Sequence, residues 1–254
     1  VAPLVESVAR WALRARPAAH LRRARWASAA TIAVGTPVLR TAITSPAGGP
    51  KFRRWSLVLA ATWSAGAVAG SPRLLSRLIR PNSLTTSVVQ PALIGAGAVA
   101  VFSTGAVVTT RIPLLRDEIR AVVDHARHGS LPVVIGLALI TGATEELFFR
   151  GPLYDAVDVR GLHPVATSTA IYTLVTCATG NPMLVFAASV LGTITALDRR
   201  ATGDVVGPVV IHLTWTTGML LVLPPMVHRF DRSPGRHRPG HAAPPSGSPS
   251  PDPV

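Results

Sequence analysis

Apolar residues run through this chain in long blocks separated by short basic or turn-forming segments. Seven blocks stand out, at roughly 26–43, 55–70, 88–110, 131–149, 164–180, 182–197 and 205–225. Their length and continuity predict helices buried on all sides or lying in a bilayer, rather than strands of alternating pattern. Several fall short of the ~20 residues a perpendicular span needs. The first contains Pro37 and Arg40 and reads as an interfacial or kinked span. The fifth and sixth meet at Gly180-Asn181-Pro182, a turn signal that predicts a helical hairpin.

Two segments break this pattern. Between 111 and 130, Arg111, Arg116, Asp117, Glu118, Arg120, Asp124 and Arg127 interleave with Ile112, Leu115, Ile119, Val122 and Val123. That spacing predicts an amphipathic helix on the membrane surface. Residues 1–25 carry Arg10, Arg14, Arg16, Arg22, Arg23 and Arg25 and form a basic, partly amphipathic N-terminal segment. From 229 to 254 the chain is rich in Pro, Gly, Ser and His, has no core to bury, and is expected to be disordered. The organisation is thus 1–25 N-terminal segment, 26–228 polytopic membrane domain, and 229–254 tail. The expected fold class is an all-α polytopic integral membrane bundle of about seven transmembrane helices.

Composition agrees. Of the 254 residues, 48% are hydrophobic and only 15% charged, against ~25% charged in an ordinary soluble domain. The net charge of +13 is nearly all arginine, since Lys51 is the only lysine. Because the arginines flank apolar blocks, they read as partners of membrane lipid and not of nucleic acid. Basic residues occupy loops on both sides of any alternating topology, so their count leaves orientation open, although the N-terminal cluster favours a cytoplasmic start. Cys177 is the only cysteine, which excludes an intramolecular disulfide and a Cys-based zinc knuckle. No cleavable signal peptide is expected.

The candidate chemistry begins at Glu145 and Glu146, adjacent carboxylates near the end of the apolar run from Leu131 to Arg150. A carboxylate in or near hydrocarbon costs roughly +2.5 kcal/mol or more, and intramembrane ionisable groups are functional candidates by default. On a helix, Glu146 and Arg150 are i and i+4 and can pair, whereas Glu145 lies ~140° round from Arg150. Glu145 is therefore the freer carboxylate, suited to act as a general base on water. A purely structural ion-pair cluster is the alternative at this point. His212 and Thr216 share a face of the last apolar block, and Tyr172 and Thr176 share one of the fifth. By themselves, Tyr172 and Thr176 suit helix–helix hydrogen bonding.

The order of these parts resembles the CPBP family of membrane-embedded proteases, which includes CAAX prenyl endopeptidases and the bacteriocin-processing and self-immunity proteins of the Abi group. The family's Glu-Glu-x-x-x-Arg is matched by Glu145-Glu146-Leu-Phe-Phe-Arg150, followed by Gly151. Its Phe-x-x-x-His falls on Tyr172-Thr-Leu-Val-Thr176, and its His-x-x-x-Asn on His212-Leu-Thr-Trp-Thr216. The hairpin at Asn181-Pro182, the helix holding Gly192 and the run from Thr202 to His212 are similar too. The resemblance spans about 131–223. It implies Glu145 as base, Glu146 with Arg150 as support, and His212 orienting water or the oxyanion, with Tyr172, Thr176 and Thr216 supporting.

The chain departs from the family at Thr176, where a histidine is usual, and at Thr216, where an asparagine is usual. Threonine can donate a hydrogen bond but cannot act as an imidazole ligand or proton carrier. Members are often labelled metalloproteases, and a metal-free glutamate mechanism is also proposed for them. If zinc binds here, Glu145 and His212 are its expected ligands, one short of the three of a stable catalytic site once Glu146 is paired with Arg150. The implied function is hydrolysis of a peptide bond in a membrane-anchored or lipid-modified peptide in a bacterial cell membrane, weakened by the lost histidine. The alternatives are a non-catalytic scaffold or self-immunity protein, and a transporter using Glu145 for proton coupling. The absence of a duplicated half counts against the transporter.

Overall fold

A computed structural model describes residues 2–46, 48–72, 74, 85–109, 130–158 and 163–231. The expected surface helix at 111–129 and the tail beyond 231 lie outside the described residues. Helix α1 is Ala2–Ile43 and α2 is Pro50–Gly70; a π-helical turn at Thr85–Val89 leads into α3, Gln90–Thr109. Then come α4 (Leu131–Phe149), α5 (Pro152–Val157), α6 (Pro164–Cys177), α7 (Pro182–Thr202) and α8 (Val206–Asp231). There is no strand among the described residues. The protein is an all-α bundle, and each expected apolar block lies largely on a helix among the described residues. Among the described residues, four segments are long and apolar enough to cross a membrane: Thr86–Gly105, Leu131–Val157, Pro182–Thr202 and Val206–Pro225.

Proline sets many of the helix starts. Helices α2, α4, α5, α6 and α7 each carry proline in their first two positions, where the missing N–H costs nothing and the fixed φ is already helical. The predicted hairpin forms between α6 and α7. Gly180 takes φ +73°, which a side chain would disfavour. Asn181 caps α7, its Oδ1 accepting from the Met183 and Leu184 amides at 2.9 and 3.1 Å. Helix α1 runs unbroken past residues 25 and 26. It joins the bundle before that point, because Ala24 is fully buried and Arg25 Nε donates to the Ala156 carbonyl at 3.3 Å.

Packing then orients the site. Helices α1 and α2 form an antiparallel pair brought close by Gly35 and Gly66. A Cβ on Gly35 would overlap the Trp63 ring, and one on Gly66 would overlap Thr31. Small residues allow this approach where no water-driven force operates. Helix α4 runs parallel to α2: Phe52 meets Val134 and Leu137 at one end, and Trp63 stacks on Phe148 at 5.2 Å further along. Phe149 continues the cluster to Tyr172, ring centroids 4.8 Å apart. The Phe148-Phe149 pair thus anchors the end of α4 in the core and fixes the rotation of the preceding turn, which carries both glutamates.

Candidate active site

Three helices bring the polar side chains together. Glu145, Glu146 and Arg150 come from α4, Tyr172 and Thr176 from α6, and His212 and Thr216 from α8. A cavity of about 230 Å³, with room for several waters, is lined by Glu145, Tyr172, Thr176, His212 and Thr216, and otherwise mostly by aliphatic side chains. It reaches the end of the bundle where α1 finishes, α2 starts and the α6–α7 hairpin turns, as Ile43, Phe52 and Thr179 also line it.

The two glutamates have different surroundings. Glu146 is fully buried and lies off the cavity lining. Its Oε2 is 3.2 Å from Arg150 Nε, the i,i+4 pair expected from the spacing. The Nε hydrogen is directed at Thr195 Oγ1, 2.9 Å away, so the contact with Glu146 is ionic and leaves Oε2 without a hydrogen bond. Its other oxygen, Oε1, faces His212 Nδ1 at 2.9 Å. Glu146 therefore sits between a guanidinium and an imidazole. Glu145 instead faces the cavity, where Tyr172 Oη donates to its Oε2 at 3.1 Å. It is less isolated than the spacing suggested, because a neutral donor from α6 reaches it.

The Glu146 bond sets the direction of the histidine. With Nδ1 turned to the carboxylate, the Nε2 edge lies against Gly142, also on the cavity wall. A Cβ at Gly142 would come within 3.1 Å of Nε2 and Cδ2, so this glycine gives the ring its space. Thr176 is placed on the cavity but spends its hydroxyl hydrogen on the Tyr172 carbonyl of its own helix, 2.9 Å away. Thr216 lines the wall beside His212.

Residues 127–218 match the family model of type II CAAX prenyl endopeptidases, Rce1-like. No curated protein and no solved structure matches the chain. The matched segment contains every residue of the cluster just described, from Glu145 to Thr216, and the match agrees with the resemblance carried by the Glu-Glu-x-x-x-Arg run.

Thr195, Arg199 and Asp155 contribute to the cluster and escaped the sequence reading, which named Gly192 only for its helix. Arg150 Nη2 donates to the Gly192 carbonyl at 3.0 Å, and Thr195 takes the Nε bond. Gly192 itself is required by closeness: a Cβ there would lie 3.0 Å from Tyr172 Cδ1 and 3.2 Å from Arg150 Nη2. Arg199 Nε donates to the Arg150 carbonyl at 2.8 Å, and its Nη2 pairs with Asp155 at 3.0 Å. Arg199 thereby joins α7 to the corner between α4 and α5. An arginine near the end of an apolar helix is the one signal that could have pointed to it.

The donor set does not fit a three-ligand zinc. His212 offers one nitrogen to the cavity, Glu145 one carboxylate, and Glu146 is held between Arg150 and His212. Thr176 stands where a second imidazole would be needed and its hydroxyl is turned to the backbone. Among the described residues no group of three His, Cys, Asp or Glu side chains converges in metal-binding geometry.

Proposed function

We propose that the protein is a membrane-embedded endopeptidase of the bacterial cell membrane. It hydrolyses a peptide bond in a membrane-anchored or lipid-modified peptide, using water activated by Glu145. The observation that carries this reading is the division of labour between the glutamates: Glu146 is enclosed by Arg150 and His212, while Glu145 faces a cavity with room for water.

In this mechanism the substrate carbonyl enters the cavity and a water sits against Glu145. Tyr172 Oη, 3.1 Å from Oε2, fixes the carboxylate so that its other oxygen can take the water proton. The water oxygen adds to the carbonyl carbon, and the π electrons move to the carbonyl oxygen. His212 Nε2, held in place through Nδ1 by Glu146, accepts a hydrogen bond from the second hydrogen of the attacking water and so orients it for addition. Collapse breaks the C–N bond, and the proton on Glu145 passes to the leaving nitrogen. Arg150 acts on none of the reacting atoms; it holds Glu146.

The test is cleavage of lipidated and membrane-anchored peptides by the reconstituted protein. Glu145→Gln, expressed and folded like wild type, is expected to abolish cleavage, and full activity in that variant would refute the mechanism. A second reading, a non-catalytic scaffold or self-immunity protein, is favoured by one observation: the Thr176 hydroxyl is directed to its own helix and not into the cavity. Thr176→His separates the two. Faster proteolysis points to a weakened protease, and silence of both wild type and variant points to the scaffold.

A further inference from the structure

The rim where the cavity reaches the bundle end is strongly cationic. Arg40 stands in the last turn of α1, and Lys51, Arg53 and Arg54 occupy the first turn of α2. All four are exposed. They interleave with residues that line the cavity: Leu39, Ala42 and Ile43 around Arg40, and Phe52 between Lys51 and Arg53. No acidic residue occurs anywhere from 7 to 116. On the facing α6–α7 hairpin there is none from 163 to 197 either. Arg40 Nη1 donates to the Ala178 carbonyl at 3.2 Å, tying this corner to the hairpin without neutralising its charge.

Three of the four cations, Lys51, Arg53 and Arg54, also stand on the unfavourable pole at the start of α2, while Arg40 ends α1 on the favourable one. Cations at a helix start oppose the helix dipole, where carboxylates would be stabilising. Such a concentration is sustained most readily by an external anion. What lies beneath it identifies the kind. One turn further along the same outer face of α2, Leu57 and Val58 are exposed, at 53% and 37%. They follow Arg53 and Arg54 at i+4, a rise of about 6 Å toward the bundle middle. On α1, Val34, at 56% exposure, lies likewise inward of Arg40. A cationic turn above an apolar turn matches a molecule with an anionic head and a hydrocarbon tail.

We propose that the α1–α2 corner at the cavity rim binds an anionic phospholipid. The phosphodiester head lies among Arg40, Lys51, Arg53 and Arg54, and an acyl chain lies along Leu57 and Val58. A bound lipid there places a fixed negative charge beside the cavity entrance. An acidic peptide would satisfy the charges but not the apolar turn, which is why the lipid is favoured. The inference does not depend on proteolytic activity.

The experiment is native mass spectrometry of the full chain released from bilayers holding phosphatidylglycerol and phosphatidylcholine in equal amounts. Wild type is expected to retain phosphatidylglycerol preferentially. Each cation neutralised should lower that preference about fivefold. Combining Arg40→Gln, Lys51→Gln, Arg53→Gln and Arg54→Gln should therefore remove it, while Arg200→Gln, at the opposite end, should leave it. Unchanged retention in the fourfold variant overturns the proposal, as does wild type showing no preference or binding an acidic peptide in place of the lipid. Should the fourfold variant fail to fold, wild type alone decides. Its preference must fall when ionic strength is raised from about 0.05 M to about 0.5 M before release, and a salt-independent preference overturns the site.

Discussion

Replacing each glutamate by alanine should separate stability from chemistry. Glu146 is fully buried, with the Arg150 guanidinium 3.2 Å from one oxygen and His212 Nδ1 2.9 Å from the other. Arg150 is fully buried as well, and its remaining bonds go to neutral partners, Thr195 and the Gly192 carbonyl. Glu146→Ala therefore leaves a buried cation with no counter-charge, a change that costs about 3–5 kcal/mol. For a chain of this size each kcal/mol lowers the melting temperature by about 2–4 °C, giving a drop of about 6–20 °C. Glu145→Ala removes one hydrogen bond from Tyr172 at a cavity wall where water can replace the lost partner, so its cost is about 1 kcal/mol. The assay is the fraction of detergent-solubilised protein remaining monodisperse after heating, run beside peptide cleavage. Glu145→Ala should melt near wild type and be inactive; Glu146→Ala should melt far below it. If Glu146→Ala melts within about 2 °C of wild type, the ionic role assigned to Arg150 and Glu146 is wrong.

Three further outcomes follow from contacts around the site. Gly142→Ala brings a Cβ to 3.1 Å from His212 Nε2 and Cδ2; the displaced ring should cut cleavage by more than tenfold while costing about 1–3 kcal/mol of stability, read by kcat and thermal melting together. Tyr172→Phe removes the donor to Glu145 but keeps the ring on Phe149, so kcat should fall about tenfold with a stability change of about 1 kcal/mol; an unchanged kcat would show that the hydroxyl does not orient the base. Arg199→Ala breaks the bonds to the Arg150 carbonyl and Asp155 and should cost about 1–3 kcal/mol, chiefly by leaving the buried Arg150 carbonyl without this donor, whereas Arg199→Lys should recover part of the loss in the same melting assay.

The helices were readable because their apolar blocks are continuous and punctuated by proline, glycine and asparagine. Gly180, Asn181 and Pro182 perform the turn that those residue types predict, and Leu131–Phe149 coincides with the apolar block drawn from the sequence. The Glu146–Arg150 pair was readable for a similar reason, since residues four apart on a helix meet whatever surrounds them. Less legible was where the N-terminal segment joins the bundle. Arg22, Arg23 and Arg25 look like a surface segment by composition, yet Ala24 between them is fully buried and the helix continues through.

By itself the sequence determined the class of fold, the bounds of α4, the α6–α7 hairpin, the identity of the acidic pair and the departures from the resembled motifs at Thr176 and Thr216. Each of these depends on local spacing or on residue type alone. The tertiary structure decided the partners. His212 lies 66 positions from Glu146, and only the packing of α8 against α4 through Gly142 directs its Nδ1 to that carboxylate and its other edge to the cavity. Tyr172 reaches Glu145 and Arg199 reaches the Arg150 carbonyl for the same reason. A helix's periodicity says which residues share a face, but the face that meets each neighbour is chosen by the fit of side chains such as Phe148, Phe149 and Trp63, and that fit is a property of the whole bundle.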